Sequence, residues 1–195
     1  MSETTPAAPA AQAKYQVRFD QGPDAVHRIA DGVHVVVWVD QTTDAAADSP
    51  ADAPVVPRAV LDAAPDHAAV LAANLRDAAA AAAWILAEQE RLGRRAYLAI
   101  VGAGRADGGF AADDVLAAGA VIDALIELGI DDTSPEAAVA SAAYAGLRRA
   151  VAHLATASAE GRRAIEEGVD PGSLRREAAR DASASVRVAR EGAPA

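Results

Sequence analysis

Three carboxylates are the residues in this sequence best placed to do chemistry. Asp40 ends the apolar run Val33 to Val39 (VHVVVWV), and the pair Asp113-Asp114 opens a stretch of helical periodicity. An Asp at the carboxyl end of a buried strand stands where ligands gather in open α/β sheets. If the sheet brings these places together, mutual repulsion of the three carboxylates favours a bound divalent cation such as Mg²⁺, which takes hard oxygen ligands. The plainer alternative makes Asp113 a helix cap and Asp40 a turn residue, and the residues alone leave both open.

Other chemistries find less support. Gly102-Ala103-Gly104 follows a strand, but the third glycine of a dinucleotide-binding turn would fall at Asp107, so a plain flexible turn fits better. His27, His34, His67 and His153 lack metal-ligand spacing, and there is no G-x-S-x-G elbow. The chain has no cysteine, which excludes disulfides, thiolate sites and a cysteine nucleophile. Its formal net charge of −10 disfavours nucleic acid and anionic membranes as partners, and no apolar run reaches spanning length. Met1 to Ala13 is Ala/Pro/Thr-rich without the order of a signal peptide, so a disordered lead and a cytoplasmic location are expected.

The elements that must position these residues form one domain, residues 14–192, in a chain of 195. Tyr15 to Phe19 suits a short strand and Asp24 to Ala30 a short helix. Val33 to Val39 is β-branched and nearly continuous, as a strand covered on both faces should be. Residues 41–64 read as a long acidic loop with Pro50, Pro54 and Pro57. Asp66 to Leu92 reads as a helix capped by Asp66 and closed by Gly93. Arg95 to Val101 is a strand, and Asp113 can cap a helix running to Gly129. Ser134-Pro135-Glu136 starts a helix to about Ala155. Two short helices follow, near Gly161 to Glu167 and from Asp170 to Arg180, then an edge strand at Ser185 to Ala189. Strands alternating with helices predict an α/β fold with a mainly parallel sheet and flanking helices. Four visible strands are few for so many helices, which points to missing elements or to assembly as a homo-oligomer.

Several segments, in order, resemble the 2-phosphosulfolactate phosphatase family. Val17-Arg18-Phe19-Asp20 with Gly22 resembles its V-R-F-D-x-G, and Val33 to Asp40 its V-V-V-V-V-D strand. Asn74-Leu75-Arg76-Asp77-Ala78 resembles x-L-R-N-A, and Asp113 to Ile122 the helix E-D-L-L-G-A-G-A-I-I. Ser134 to Ala137 resembles S-P-E-A. Gly161-Arg162, Ile165-Glu166 and Gly168 resemble S-G-R-E-L-I-E-x-G, and Asp181, Ser183, Val186, Val188 and Gly192 follow the spacing of the closing motif.

The resemblance implies an α/β fold and a Mg²⁺-dependent phosphatase that hydrolyses 2-phosphosulfolactate, or a similar small acidic phosphoester, on the route to coenzyme M. It implies Asp40 as metal ligand and catalytic residue, Asp113 and Asp114 as further metal ligands with Asp114 catalytic, and Arg18 and Arg76 as anchors for the anionic substrate. The chain departs from the pattern in places. The family's further strands and Asn-Gly turn are not visible between Asp40 and Leu71, Asp77 replaces an Asn, and Gly104-Arg105-Ala106 stands where the family has Gly-Glu-Arg. A reduced member follows, either still a phosphatase or a non-catalytic relative that keeps the scaffold for binding or assembly.

Overall fold

The computed structural model describes residues 8–42 and 55–193. Five strands form one sheet in the order β1-β4-β2-β3-β5. They are β1 (Val17–Gln21), β2 (Val35–Val39), β3 (Ala69–Ala73), β4 (Leu98–Gly102) and β5 (Arg187–Arg190). The first four are parallel, and β5 closes one edge antiparallel to β3. Eight α-helices flank the sheet among the described residues, and none is long and apolar enough to cross a membrane. The fold is α/β, as the alternation of strands and helices predicts.

Alternation along the strands divides the core in two. Val35, Val37, Val39, Leu71, Leu98 and Ile100 face a layer that includes α3 (Ala78–Leu92), α4 (Ala112–Glu127) and α5 (Pro135–Leu147). Val36, Trp38, Val70, Ala72, Ala99 and Val101 face α1 (Ala25–Ile29) and α2 (Arg58–Ala63). Both faces are covered, so the central strands are apolar throughout. The remaining helices are α6 (Val151–Ala157), α7 (Ala159–Glu166) and α8 (Pro171–Glu177). Helices α4 and α5 touch at Gly119. A Cβ there would lie 2.2 Å from the carbonyl oxygen of Ala140 and 2.8 Å from Tyr144 Cβ.

Several expectations are corrected. The helix expected from Asp66 begins only at Ala78, after strand β3 and a 3₁₀ turn at Leu75–Asp77. Residues 69–73 (AVLAA) lie between β2 and β5, so Val70 and Leu71 point to opposite layers rather than to one helix face. The sheet therefore has a fifth strand beyond the four that the residue pattern predicts, and it begins just before Leu71. The expected loop 41–64 includes α2, and its residues 43–54 lie outside the described residues. Asp113 is not the cap of α4. Ala111 holds that position, with no side-chain cap, and Asp113 sits inside the first turn. The helix expected from Ser134 to Ala155 breaks at residues 148–150 into α5 and α6.

The expected lead of residues 1–13 also changes. Residues 1–7 lie outside the described residues, but Pro9–Ala11 form a 3₁₀ turn and Gln12 is buried. The Gln12 carboxamide donates to the Phe19 carbonyl at 2.8 Å and accepts from the Phe19 N–H at 3.0 Å, occupying the outer edge of β1. Lower on the same edge, Val17 bonds the backbone of Asp132 and Ser134.

Candidate functional site

The order of the strands makes a crevice. The chain leaves β1 and β2 towards α1 and α2 on one face, and leaves β4 towards α4 on the other. Strands that are neighbours but send their loops to opposite faces leave an opening at their carboxyl ends. A cleft of 700 Å³ lies there, lined by Gln21 at the end of β1 with Gly22 and Arg28 after it, Trp38, Asp40 and Thr42 around the end of β2, Gly104 and Arg105 after β4, and Glu160 and Arg163 of α7. Gly104 takes φ of 75°, and a Cβ there would lie 3.4 Å from the Gly22 backbone, so the position suits a residue without a side chain.

Asp114 bridges the crevice. It is 3 % exposed. One carboxylate oxygen accepts from the Gln41 N–H at 2.9 Å, just past β2, and the other from the Gly104 N–H at 2.8 Å, just past β4. The two loops that diverge are tied to one carboxylate. Burial, then the charges of Asp113 and Asp40, push the Asp114 carboxyl well above the usual range, while the two N–H donors oppose the rise. Asp113 lies beside it, equally buried. One oxygen accepts from the Thr42 hydroxyl at 2.7 Å, and the other, Oδ1, has no hydrogen-bond donor among the described residues. Burial raises its pKa as well, against the Thr42 hydrogen bond. No group of three or more acidic or histidine side chains is disposed as a ready metal cage among the described residues.

The basic residues of the cleft are not the ones the motifs indicated. Arg18 is buried on the α1 side, where its guanidinium donates to the carbonyls of Ile29 at 2.9 Å, Asp31 at 2.8 Å, Ala13 at 3.1 Å and Tyr15 at 3.3 Å. It fastens the residues before β1 to the end of α1 and does not line the cleft. Arg76 follows β3, pairs with Glu177 at 3.5 Å, and does not line the cleft either. The arginines that do are Arg28, Arg105 and Arg163. Each stands with an acid: Arg28 with Asp20 at 2.5 Å, Arg105 with Asp107, and Arg163 with Glu160 at 2.8 Å and Glu167 at 3.0 Å. The hydrogen bond to Asp20 raises the Arg28 pKa further. A basic residue on the short helix after β1, and another in the turn after β4, were signals available in the chain. Arg163 is the neighbour of the residue that the G-R motif picks out.

Asp77 lies outside the cleft. It is 1 % exposed, and its carboxylate accepts from the Asn74 N–H at 2.8 Å. Burial outweighs that bond and the charge of Arg76, and pushes its pKa up to about 6.

A mostly parallel sheet with a carboxyl-end crevice, an Asp at its mouth and arginines around it defines the chain as an α/β protein with a cleft at the usual ligand-binding end of the sheet. The chain belongs to the 2-phosphosulpholactate phosphatase family, whose model matches residues 57–191. Arg76, Asp113 and Asp114 fall within that span, and Arg18 and Asp40 precede it. No curated protein matches the chain.

Proposed function

We propose that the protein hydrolyses the phosphoester bond of a small acidic substrate, 2-phosphosulfolactate or a close analogue, in the cleft at the carboxyl ends of β1, β2 and β4. The observation that carries the reading is the meeting of Asp40 with Arg28, Arg105 and Arg163, from four separate elements, in one cleft of a chain from a phosphatase family. A guanidinium fork matches phosphate and carboxylate oxygens, and exposed ion pairs such as Arg28–Asp20 are weak enough to exchange an acid for a substrate anion. The arginines hold the phosphoryl group and the second acidic group. Asp40 orients the attacking water and takes its proton. Asp114 sets the spacing of the two loops between which the phosphoryl group lies.

The donor set fits Mg²⁺ in the way that ion is commonly held, by one or two carboxylates together with phosphate oxygens and water. Asp40 would hold it at the cleft wall, with Asp113 and Asp114 behind, and the orphaned Asp113 Oδ1 is the atom most in want of a cation. When bound, the cation supplies charge neutralisation at the phosphoryl oxygens and a more acidic water.

Purified protein with Mg²⁺ should release phosphate from a small acidic phosphoester, and Asp40→Asn should reduce release to background while leaving the fold intact by circular dichroism. Mg²⁺ should also raise the melting temperature, since a ligand of the native state must. Absence of release across a panel of phosphomonoesters that includes 2-phosphosulfolactate would instead favour the second reading, a non-catalytic binding relative. Two observations favour that reading: both Asp114 oxygens are already engaged by backbone N–H groups, and each cleft arginine already has an acidic neighbour.

A further inference from the structure

We infer that the outer face of α5, with Phe110 beside it, is the surface on which a second copy of this chain docks, antiparallel and about a two-fold axis near Ala142. The inference is independent of the chemistry in the cleft. Of the thirteen residues of α5 (PEAAVASAAYAGL), only Glu136 is charged. Its inner face, with Ala137, Ala140, Ser141 and Tyr144, is buried in the domain against α4. Its outer face is apolar too. Val139 is 67 % exposed, Leu147 45 % and neighbouring Phe110 66 %, and Ala138, Ala142 and Gly146 are exposed between them. A helix apolar all round belongs in an interior, and a solvent-exposed patch of this kind marks an interaction surface. A groove of 350 Å³ beside Phe110, Val115, Pro135 and Val139 continues the patch.

Charge identifies the occupant. Glu136 stands exposed at the start of α5, and Arg148 and Arg149 stand exposed just past its end. None of the three enters an ion pair among the described residues. They lie about 18 Å apart at 1.5 Å per residue. An antiparallel copy sets Glu136 opposite Arg148 and Arg149 of the other chain at both ends, and opposes the helix dipoles. A parallel copy would set like against like. Acid at one end, base at the other and an apolar middle are what an isologous two-fold contact requires, because each residue must suit its symmetry mate. Ala138, Ala142 and Gly146 allow the helix axes to approach towards the short end of the 8–10 Å range. Assembly through the β1 edge is closed off, since Gln12 and residues 132–134 already occupy it.

Light scattering on the full chain after size exclusion tests this. Wild type should run at twice the mass of one chain, and Ala142→Arg at the single mass with an unchanged far-ultraviolet spectrum and a still cooperative melting transition, lowered by the loss of the native-state partner. Glu136→Arg should also be monomeric, as should Arg148→Glu with Arg149→Glu. An equimolar mixture of these last two proteins should dimerise again, because both ends of the mixed pair are then complementary. These charged positions are exposed, so their variants keep the test sound even if Ala142→Arg fails to fold. A wild type that stays monomeric at concentrations of about 100 μM, roughly −5.5 kcal/mol in affinity, overturns the inference. So does a dimer indifferent to all the substitutions, or a mixture that fails to pair.

Discussion

Replacing Asp77 with Asn should stabilise the protein, and the size and pH dependence of the gain follow from the structure. Asp77 keeps its carboxyl buried behind the 3₁₀ turn with one backbone donor from Asn74. Its pKa rises from an ordinary 3.8 to about 6. A folded-state pKa above the unfolded value means that the folded chain holds its proton longer. The associated stability is fully present below about pH 3.8 and is lost as pH rises through about 6. Above that, the native state carries a buried carboxylate whose cost is about 3 kcal/mol, from somewhat over two powers of ten in proton affinity at 1.36 kcal/mol each. Asn has the same shape, can still accept the Asn74 N–H through Oδ1 and is uncharged. It is also the residue that the family pattern carries here. It gives up the attraction of Arg76, so the net gain at pH 7 should be about 1–3 kcal/mol. Urea unfolding followed by circular dichroism, from pH 4 to pH 8, should give a difference between variant and wild type that is near zero at pH 4, grows through about pH 6 and is flat above. Because Asp113 and Asp114 titrate in both proteins, the difference isolates Asp77. A difference that does not change with pH, or a variant less stable than wild type at pH 7, would refute the reasoning.

Two further outcomes test the fold and the reassignment of a residue. Arg18→Ala should lower stability by about 2–4 kcal/mol, since four carbonyls lose a charged donor, yet leave the KM for any phosphoester substrate unchanged below the melting temperature. A stable variant with a raised KM would return Arg18 to the substrate. Gly119→Ala should destabilise by about 1–3 kcal/mol in chemical denaturation, because the new methyl meets the rigid backbone of α5; a neutral result would mean that the two helices separate easily.

The sequence declares its fold where side chains are large and β-branched, and conceals it where they are alanine. VHVVVWV could only be a strand buried on both faces, and it is β2. AVLAA carries the same structural role in β3 but almost no strand propensity, and only its place between two other strands decides it. The break between α5 and α6 had no glycine or proline at residues 148–150 to announce it. For the site, Asp40 and Asp114 were legible because the end of a strand and the start of a helix are local features. The cleft arginines were not, since Arg28, Arg105 and Arg163 are brought together only by the strand order. Arg18 donates to four carbonyls instead of lining the cleft, and its spacing could not show this: a motif arginine on a strand turns either towards the ligand end or back onto carbonyls.

The carboxamide of Gln12 has a consequence beyond its two hydrogen bonds. It offers one donor and one acceptor in the arrangement of a peptide group, and so stands in for the strand that would otherwise come next. A bare flank of a sheet is a template on which any stray extended chain can crystallise into aggregate. Here the growth of the sheet past β1 is terminated at Phe19 by a single side chain, held in place by one tight turn, and at Val17 by the backbone of residues 132–134. The protein needs no further strand, and no second subunit, to keep that flank chemically silent.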